Sequence, residues 1–401
     1  MTTRAGVAKT AKEAIICKSS SSLLCNDCGG LQKPRMGDGD GFKCRRQSPL
    51  LNRIYHSRNQ LIHKMVASCL RTLQSHGNDA VLGEFHPQLL LLGAGVDVTF
   101  EKLYSNSAKI FAVDYPEIIL ERKTALSGIQ FDKDSGVNES SLESNSSSLI
   151  SADLCDFDDV WMKLSRSGFN VDCSTIVLIE CVLCYIDSLS VQKLLKQLSN
   201  HLTRQSILIT YDPMVPKPSN DSTLSKLSVR RSDFTQMMAD KFTERNAPIL
   251  HNIKSIEMQE TFHKLCGWQY VTAMNMYTAS RCIMTSEERK IPIIAEPFDE
   301  FTSLAILHKL YNVTLASLSE QLFLSFLSDL KLNEGTIKRK VEASQCIDAS
   351  VHCFNSPVSA AAATVGCTSQ PSQVSNADNS LEPLLRRIAT AELRVQSLIF
   401  R

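Results

Sequence analysis

The sequence predicts an α/β protein built on a doubly wound, Rossmann-like sheet with a helical insertion. Short apolar runs typical of strands alternate with amphipathic stretches typical of helices, and short connections join them. A glycine pair follows the first of these runs, and an acidic residue ends the second. Open α/β sheets bind ligands at the carboxyl ends of their strands, so the same pattern predicts the position of a ligand site.

The predicted strands are short apolar runs bounded by turn residues. They lie at 89–92, 108–114, 149–150, 175–185, 206–211, 268–277 and 310–316. Continuous apolar runs of this length are expected for parallel strands that are buried on both faces. Helices are predicted between them at 117–126, 157–165 and 190–202, where apolar residues repeat with helical spacing.

Residues 1–318 are predicted to form one domain, with a lid-like helical insertion at about 213–267. The insertion follows the carboxyl end of a strand, so it is expected to cover the ligand edge of the sheet. Beyond the domain we predict a helical extension at 319–345, a low-complexity linker at 346–383 and an amphipathic helix at 384–401. That last helix could bind a partner or touch a membrane surface, but docking on the core is the expectation.

Composition narrows the class of protein. The chain has 401 residues, of which 43% are hydrophobic, and its 43 basic and 42 acidic side chains leave a formal charge of +1. Such a balance argues against a protein that coats nucleic acid. The apolar runs are too short to span a bilayer, and 14 cysteines in so long a chain do not make a disulfide scaffold. We expect a soluble cytoplasmic protein without a membrane partner.

No metal site is predicted. Cys25 and Cys28 have the spacing of a zinc knuckle, but Cys44 stands alone and no paired histidine follows at ligand spacing.

The chemistry-bearing motif is the glycine pair Gly93 and Gly95. Glycine at these positions lets the backbone turn tightly and approach a ligand. Asp114 follows 19 residues after Gly95, at the tip of the second strand, where an acid commonly binds ribose hydroxyls. The third glycine of the dinucleotide pattern is missing, because position 98 is valine. Its absence favours a nucleoside without a diphosphate, such as S-adenosylmethionine, although a plain strand–loop turn is the alternative.

Two further acids are predicted at the same edge. Asp153 follows the predicted third strand, and Glu180 interrupts the apolar fourth strand. A carboxylate in an apolar strand is costly unless it is paired. A cationic ligand at the strand end would pair with Glu180, and an arginine of the core is the alternative partner.

Together with other segments, these residues resemble the leucine carboxyl methyltransferase family. The segments that carry the resemblance are 92–100 (LGAGVDVTF), 113–116 (VDYP), 152–154 (ADL), 179–185 (IECVLCY), 296–301 (EPFDEF) and, upstream, 48–58 (SPLLNRIYHSR). The resemblance runs with gaps over about residues 12–318. It implies a class I, S-adenosylmethionine-dependent methyltransferase fold.

The resemblance also implies which residues hold the cofactor. Lys18 and Arg58 would bind its methionine carboxylate, and Glu180 would lie near its amino group. A zwitterionic ligand needs cations at one end and a carboxylate at the other, so this assignment is physically consistent. Arg58 as a solvated helix residue is the alternative. After Lys18 the chain departs from the family pattern, since four serines follow where the family has a Gly-Tyr.

The rest of the cofactor is assigned in the same way. Gly93 would lie at the methionine moiety, Asp114 on the ribose, and Asp153 and Leu154 beside the adenine.

The family reaction moves a methyl group from the sulfonium to a carboxylate. A carboxyl group is already ionised at pH 7, so no general base is required. Tyr185 and Tyr211, at two predicted strand tips, would flank the reacting groups, although tyrosine packing in the core is the alternative.

The resemblance implies one preferred acceptor and one alternative. The preferred acceptor is the C-terminal leucine of the protein phosphatase 2A catalytic subunit, whose tail would be the partner. The alternative is a carboxyl group on a wybutosine intermediate in phenylalanine tRNA. A protein that binds the cofactor but has lost catalysis, and acts as a scaffold, belongs to another class and also stays open.

Overall fold

A computed structural model describes residues 3–22, 46–76, 87–127, 147–215 and 226–332, with side chains from 234 onward in the last range. The predicted linker (346–383), the predicted C-terminal helix (384–401) and all three cysteines of the discounted zinc motif lie outside the described residues.

The sheet has seven strands. They are β1 (Gln88–Leu92), β2 (Lys109–Asp114), β3 (Ser147–Ser151), β4 (Thr175–Glu180), β5 (Ser206–Pro213), β6 (Tyr270–Asn275) and β7 (Tyr311–Ser317). All five residues of β1 and all eight of β5 are buried, as expected for strands covered on both faces. Each of the seven predicted strands is present, with ends that shift by up to five residues.

The helices of the described part are α1 (Arg4–Ser22), α2 (Pro49–His76), α3 (Thr99–Tyr104), α4 (Pro116–Ser127), α5 (Phe157–Arg166), α6 (Ser188–His201), α7 (Lys226–Glu244), α8 (Ile256–Leu265), α9 (Met276–Ile283), α10 (Ser286–Ala295), α11 (Phe301–Lys309) and α12 (Glu320–Asp329). None of them is long and apolar enough to cross a membrane.

The strand order is β3-β2-β1-β4-β5-β7-β6. Strands β1 to β5 pair in parallel, and β7 inserts antiparallel to both β5 and β6. The chain winds outward from β1 to β3 and then returns to place β4 on the other side of β1. A crevice opens at that reversal, outside the carboxyl ends of β1 and β4. The Rossmann-like methyltransferase fold predicted from the sequence is therefore confirmed.

Two apolar layers cover the sheet. Alternate strand residues such as Leu89 and Leu91 face α2, α9 and α12, while Leu90 and Leu92 face α5 and α6. A third, smaller cluster joins the first turns of α2 to α7 and α11. Since α7 belongs to the predicted insertion, this third cluster fixes the insertion over the carboxyl edge of the sheet.

One predicted strand end is wrong. The apolar run at 175–185 is a strand only to Glu180, after which Cys181 takes a positive φ of 56° and Leu183–Tyr185 form a short 3₁₀ helix. Cys181 and Cys184 therefore do not lie on opposite faces of a strand. The turn brings the segment back across the strand ends, where a straight strand would have left the sheet.

A second helical insertion was not predicted. It comprises α9, α10 and α11, between β6 and β7. Glu296, from the family-like EPFDEF segment, accepts hydrogen bonds from Arg46, while its backbone oxygen accepts one from the buried Arg53 at 2.6 Å. The Arg53 guanidinium also lies 4.2 Å from the centre of the Phe298 ring. In this chain the segment anchors the start of α2.

A buried arginine fastens the loop after β1. The Arg122 side chain of α4 is fully buried and donates to the backbone oxygens of Ala94, Gly95 and Asp97 at 2.7–3.0 Å. Its other nitrogens bind both carboxylate oxygens of Glu101 at 2.6–2.9 Å. One guanidinium thus donates hydrogen bonds to three loop carbonyl groups that have no neighbouring strand to pair with.

We predict that Arg122→Met lowers the free energy of unfolding by about 3–5 kcal/mol, because it leaves Glu101 charged, buried and unpaired. Arg71→Ala is the matched control, since Arg71 pairs with Asp329 at 2.7 Å but is 59% exposed. It should cost about 1 kcal/mol or less. Urea unfolding of both variants measures the difference, and equal losses would contradict the role given to Arg122.

Candidate functional site

A cavity of about 250 Å³ opens at the carboxyl edge of the sheet, at the β1–β4 reversal. It is lined by the loop after β1, the tips of β2 and β4, and helices α1, α2 and α7. Of the nine residues predicted for the site, eight line this cavity: Lys18, Arg58, Gly93, Asp114, Leu154, Glu180, Tyr185 and Tyr211. The structure therefore brings together residues that lie as far apart as 18 and 211 in the chain.

The glycine turn requires glycine at both positions. Gly93 and Gly95 have φ angles of +69° and +63°, a region that side-chain-bearing residues rarely adopt. A Cβ on Gly93 would lie 2.2 Å from Val182, whereas one on Gly95 would meet no atom within 4 Å. Gly93 thus permits close packing against the β4 loop, and Gly95 leaves open space on the cavity side.

Asp114 closes this turn from the tip of β2. Its two carboxylate oxygens accept hydrogen bonds from the amides of Gly95 at 2.8 Å and Tyr115 at 2.7 Å. Burial raises the pKa of Asp114 above its usual value, and these two amides oppose the shift. Each oxygen keeps a second lone pair, so the carboxylate can still accept from ligand hydroxyls.

Four charges form a compact cluster deeper in the cavity. The Lys18 ammonium lies 3.0 Å from Asp97 and 3.1 Å from Glu180, and the Arg58 guanidinium lies 2.5 Å from Glu180. Burial alone would raise the pKa of Glu180, but Arg58 and Lys18 outweigh it and lower the pKa. Lys18 and Asp97 are shifted toward their charged forms by the same pairing. Two cations and two carboxylates leave the cluster neutral.

Arg58 is not a solvated helix residue, since it is only 8% exposed. In the structure it is the arginine partner of Glu180, which was the alternative explanation for an acid in this strand.

Asp153 does not line the cavity. Its side chain accepts from Arg4 of α1 at 3.1 Å and from the amide of Cys155 at 3.0 Å. Its neighbours Leu154 and Cys155 do line the cavity, beside Tyr115. In this conformation Asp153 ties α1 to the loop after β3, and its predicted place beside an adenine stays a prediction.

The other half of the cavity is aromatic and apolar. Tyr211 is fully buried, its ring stacks 5.4 Å from that of Tyr311, and its hydroxyl lies 2.9 Å from the sulfur of Met276. The ring of Tyr185 lies 5.9 Å from that of Phe242 in α7. Burial raises the pKa values of Tyr185 and Tyr211 well above 10, so both phenols are neutral at pH 7. We call this half, lined by Tyr55, Tyr185, Tyr311, Phe242 and Arg245, the aromatic chamber.

Helix α1 forms one wall of both halves. Its Lys18 reaches the charge cluster, while Thr10 and Glu13 face the aromatic chamber. The start of α1 sits directly on the end of α7: the Thr3 amide donates to the Asn246 oxygen at 3.0 Å, and a Cβ on Gly6 would lie 2.3 Å from that oxygen. Glycine at position 6 therefore permits the close approach.

Sequence reasoning missed several site residues. Asp97 lies in the family-like segment 92–100 but was given no role in the prediction, although its carboxylate accepts a hydrogen bond from the Lys18 ammonium. His63 lies near the cluster, and burial lowers its pKa to about 4, so it is neutral at pH 7. It is one histidine in a long amphipathic helix, and nothing in its spacing marks it as a site residue.

The charge cluster and the glycine turn fit S-adenosylmethionine. Its amino-acid end carries one positive and one negative group, and the cluster offers cations and carboxylates to both. Gly95 leaves room beside the Asp114 carboxylate for a ribose. Among the described residues, no group of three or more His, Cys, Asp or Glu side chains could hold a metal ion.

Comparison with known families agrees with this geometry. The family model described as leucine carboxyl methyltransferase matches residues 12–199. The resemblance to that family is thereby confirmed. The match spans α1 to α6 and so includes the glycine turn, the charge cluster and the turn after β4.

Relatives at modest identity come from two branches. Rat leucine carboxyl methyltransferase 1 is 24% identical over 328 residues, which cover 78% of this chain and 90% of the relative. Human tRNA wybutosine-synthesizing protein 4 is 24% identical over 292 residues, which cover 69% of this chain and only 40% of the relative. Bovine leucine carboxyl methyltransferase 1 is 26% identical over 328 residues, 78% of this chain and 90% of the relative.

Solved structures show more distant similarity. Phosphoethanolamine N-methyltransferase 2 of Haemonchus contortus, in complex with S-adenosyl-L-methionine, aligns at 13% identity and a TM-score of 0.34, over 62% of this chain and 52% of the other. A DUF574 family protein of Streptomyces avermitilis aligns at 10% identity and a TM-score of 0.38, over 64% of this chain and 82% of the other.

The family match and the relatives together support an S-adenosylmethionine-dependent carboxyl methyltransferase.

Asp212 follows Tyr211 and supports the turn after β4. Its carboxylate is 5% exposed and accepts from the Cys184 amide at 3.2 Å, and burial raises its pKa to about 7. The folded protein therefore holds a proton that the unfolded chain releases near pH 4. Below pH 4 both states are protonated. As the pH rises from 4 to 7, this group lowers the stability of the fold.

We predict that Asp212→Asn removes this loss, so that the variant gains stability relative to the parent as the pH rises from 4 to 7, by a few kcal/mol at most. Asp329→Asn is the control, because the pKa of Asp329 is lowered by its hydrogen bonds to Arg71 and Ser68. Its effect should be constant over that range and shrink only below pH 4. Urea unfolding at several pH values measures the free energy of unfolding of each variant. If it changed with pH in the same way in Asp212→Asn and in the parent, the assignment would be wrong.

Proposed function

We propose that this protein methylates the C-terminal leucine carboxylate of the protein phosphatase 2A catalytic subunit, with S-adenosylmethionine as donor. The observation that carries the proposal is a single cavity that joins a cofactor-type edge to an aromatic chamber. Leu51, Ile54 and Leu307 line that chamber and offer apolar surface to a leucine side chain. The extent of the match to leucine carboxyl methyltransferase 1, which covers nine-tenths of the relative, supports it further.

Each predicted cofactor residue has a proposed task. Lys18 and Arg58 bind the methionine carboxylate, and Glu180 binds the amino group. The amino-acid end of the ligand would thereby enter a neutral cluster as a neutral zwitterion, and the only net charge that the ligand brings would be that of its sulfonium. Its carboxylate competes with Glu180 for the two cations, and its ammonium replaces the positive partner that Glu180 gives up.

The nucleoside end would be held by residues at the tips of the first three strands. Gly93 would lie beside the methionine chain, and Asp114 would accept from the ribose hydroxyls, since its oxygens have lone pairs to spare. Leu154 would pack on the adenine, and Asp153 would reach it after leaving Arg4.

When bound, the cofactor supplies an electrophilic methyl group on a positive sulfur. The protein then has to hold a carboxylate oxygen in line with the methyl–sulfur bond, about 3 Å away, and exclude water. No proton moves, because the acceptor is already ionised. Tyr185 and Tyr211 suit this task, because they are buried and neutral and present phenol groups without competing as nucleophiles. Helices α1, α7 and α11 each contribute residues to the cavity lining and would exclude water from the reacting groups.

A second acceptor has its own support. Flat rings line the chamber, including Tyr55, Tyr185 and Phe242, and such rings also stack on a nucleobase. A wybutosine intermediate in phenylalanine tRNA is therefore the alternative, in line with the human relative named for wybutosine synthesis. The formal charge of +1 favours a protein partner over tRNA. Cytoplasmic localisation stays a prediction.

For cofactor binding, we predict that Arg58→Ala and Asp114→Ala each weaken S-adenosylmethionine affinity by roughly 10-fold or more, because each removes charge-assisted hydrogen bonds. Isothermal titration measures the affinity. Arg281→Ala, an exposed arginine outside the cavity, is the control and should leave the affinity within twofold. Unchanged affinity in both site variants would refute the site assignment.

For the acceptor, methyl transfer from labelled S-adenosylmethionine is measured on three substrates in parallel: the intact phosphatase subunit, the same subunit without its last leucine, and undermodified tRNA. We expect base-labile label on the intact subunit alone. Label on tRNA alone would assign the protein to wybutosine synthesis. If none of the three substrates is labelled while the cofactor still binds, the result would favour a cofactor-binding scaffold that has lost catalysis.

A further inference from the structure

Three cationic side chains among the described residues line the cavity, and they differ in what they pair with. The side chains of Lys18 and Arg58 are 13% and 10% exposed and pair with the largely buried carboxylates of Asp97 and Glu180. Arg245 lines the aromatic chamber, whose Tyr55 ring lies 5.3 Å from the Arg58 guanidinium. It pairs with Glu13 of α1 at 3.0 Å, with side chains 28% and 35% exposed, so this pair is the more accessible to an incoming anion.

The backbone fixes the position of Arg245. It is the first residue after α7, its amide donates to Lys241 at 3.3 Å, and Asn246 takes a positive φ of 56° that turns the chain away. The start of α1 packs on that turn through Thr3 and Gly6. The guanidinium is therefore placed at the chamber wall by two helices.

Arg245 and Arg58 both act on groups of the chamber. Burial raises the pKa of Cys17 to about 11 and raises that of Tyr311, and the positive charges of Arg58 and Arg245 oppose both shifts. Cys17 and Tyr311 also line the cavity. A carboxylate that replaces Glu13 would pair with the Arg245 guanidinium, whereas Tyr185 and Tyr211 carry no charge at pH 7.

We propose that Arg245 is the residue that binds the leucine carboxylate of the acceptor, which displaces Glu13 from it. This inference rests on the proposed carboxyl methylation and names the contact that selects a charged chain end. A guanidinium binds one carboxylate oxygen, or both, and leaves a lone pair for attack on the methyl group. Once the ester has formed, the chain end is neutral and loses the ion pair, which favours release of the product.

The proposal has a kinetic signature. Methyl transfer removes the negative charge of the carboxylate, so a cation bound to that charge stabilises the substrate at least as well as the transition state. Loss of Arg245 should therefore raise KM for the acceptor with little change in kcat. A residue with a purely structural role would lower both stability and cofactor affinity instead.

The first experiment compares Arg245→Gln with the parent and with Arg281→Gln, whose side chain lies outside the cavity. With the intact phosphatase subunit, Arg245→Gln should raise the acceptor KM roughly 10- to 100-fold and leave kcat and cofactor affinity within about threefold. Arg245→Lys should recover part of the loss. An unchanged KM in Arg245→Gln would overturn the inference while leaving the proposed function intact.

The second experiment separates substrate binding from a structural link between α1 and α7. In Glu13→Gln the ion pair is broken while Arg245 keeps its charge. If Arg245 binds the acceptor, this variant keeps the KM of the parent or lowers it, whereas a KM raised as far as in Arg245→Gln would show a structural link and overturn the inference. Binding of subunit ending in carboxylate or in carboxamide, measured with S-adenosylhomocysteine present, should differ in the parent and not in Arg245→Gln. If the parent methylates no phosphatase subunit, the proposed function fails, and the inference fails with it.

Discussion

The site depends on one buried guanidinium. A loop that leaves a parallel strand and bends twice through positive φ leaves carbonyl groups facing the interior, where no neighbouring strand can pair with them. Arg122 satisfies three of them and is itself neutralised by Glu101. With its carbonyls fixed, the loop can turn the Gly95 amide toward Asp114 and its open side toward the cavity. The shape of the cofactor end thus follows from an ion pair outside the cavity lining.

The second constraint is electrostatic. The side chains of Lys18, Arg58, Asp97 and Glu180 are only 10–15% exposed, and each is tolerable there only because the others are present. The same mutual pairing keeps all four groups charged, as their shifted pKa values show. A neutral cluster of full charges can exchange partners with a zwitterion, which an apolar pocket or a single-sign pocket could not do.

The sequence predicted those parts in which local pattern and fold coincide. Strand β1 is a glutamine and four leucines followed by a glycine turn, and both its burial and the turn's partner Asp114 follow from spacing. The end of β4 was not predictable in this way, because the apolar run continues through Cys181 while the backbone does not. An apolar run indicates that a segment is buried, and Leu183 and Cys184 of the turn are buried too, so the run does not show where the strand ends. Arg122 and Arg245 were not predicted for a related reason. Their partners Glu101 and Glu13 lie 21 and 232 residues away in the sequence, and no local period encodes such contacts.

Helix α1 has a consequence for how the cavity is reached. Its buried residues are Gly6, Cys17, Ser20 and Ser21, so it contributes little apolar surface to the core. Polar contacts to distant parts of the chain hold it instead, from the exposed pair of Arg4 with Asp153 to the largely buried pairs of Lys18 with Asp97 and Glu180. A helix with few buried apolar contacts opens at a fraction of the global unfolding free energy. Opening of α1 would expose both halves of the cavity at once while the sheet stays folded, but it would also separate Lys18 from both carboxylates.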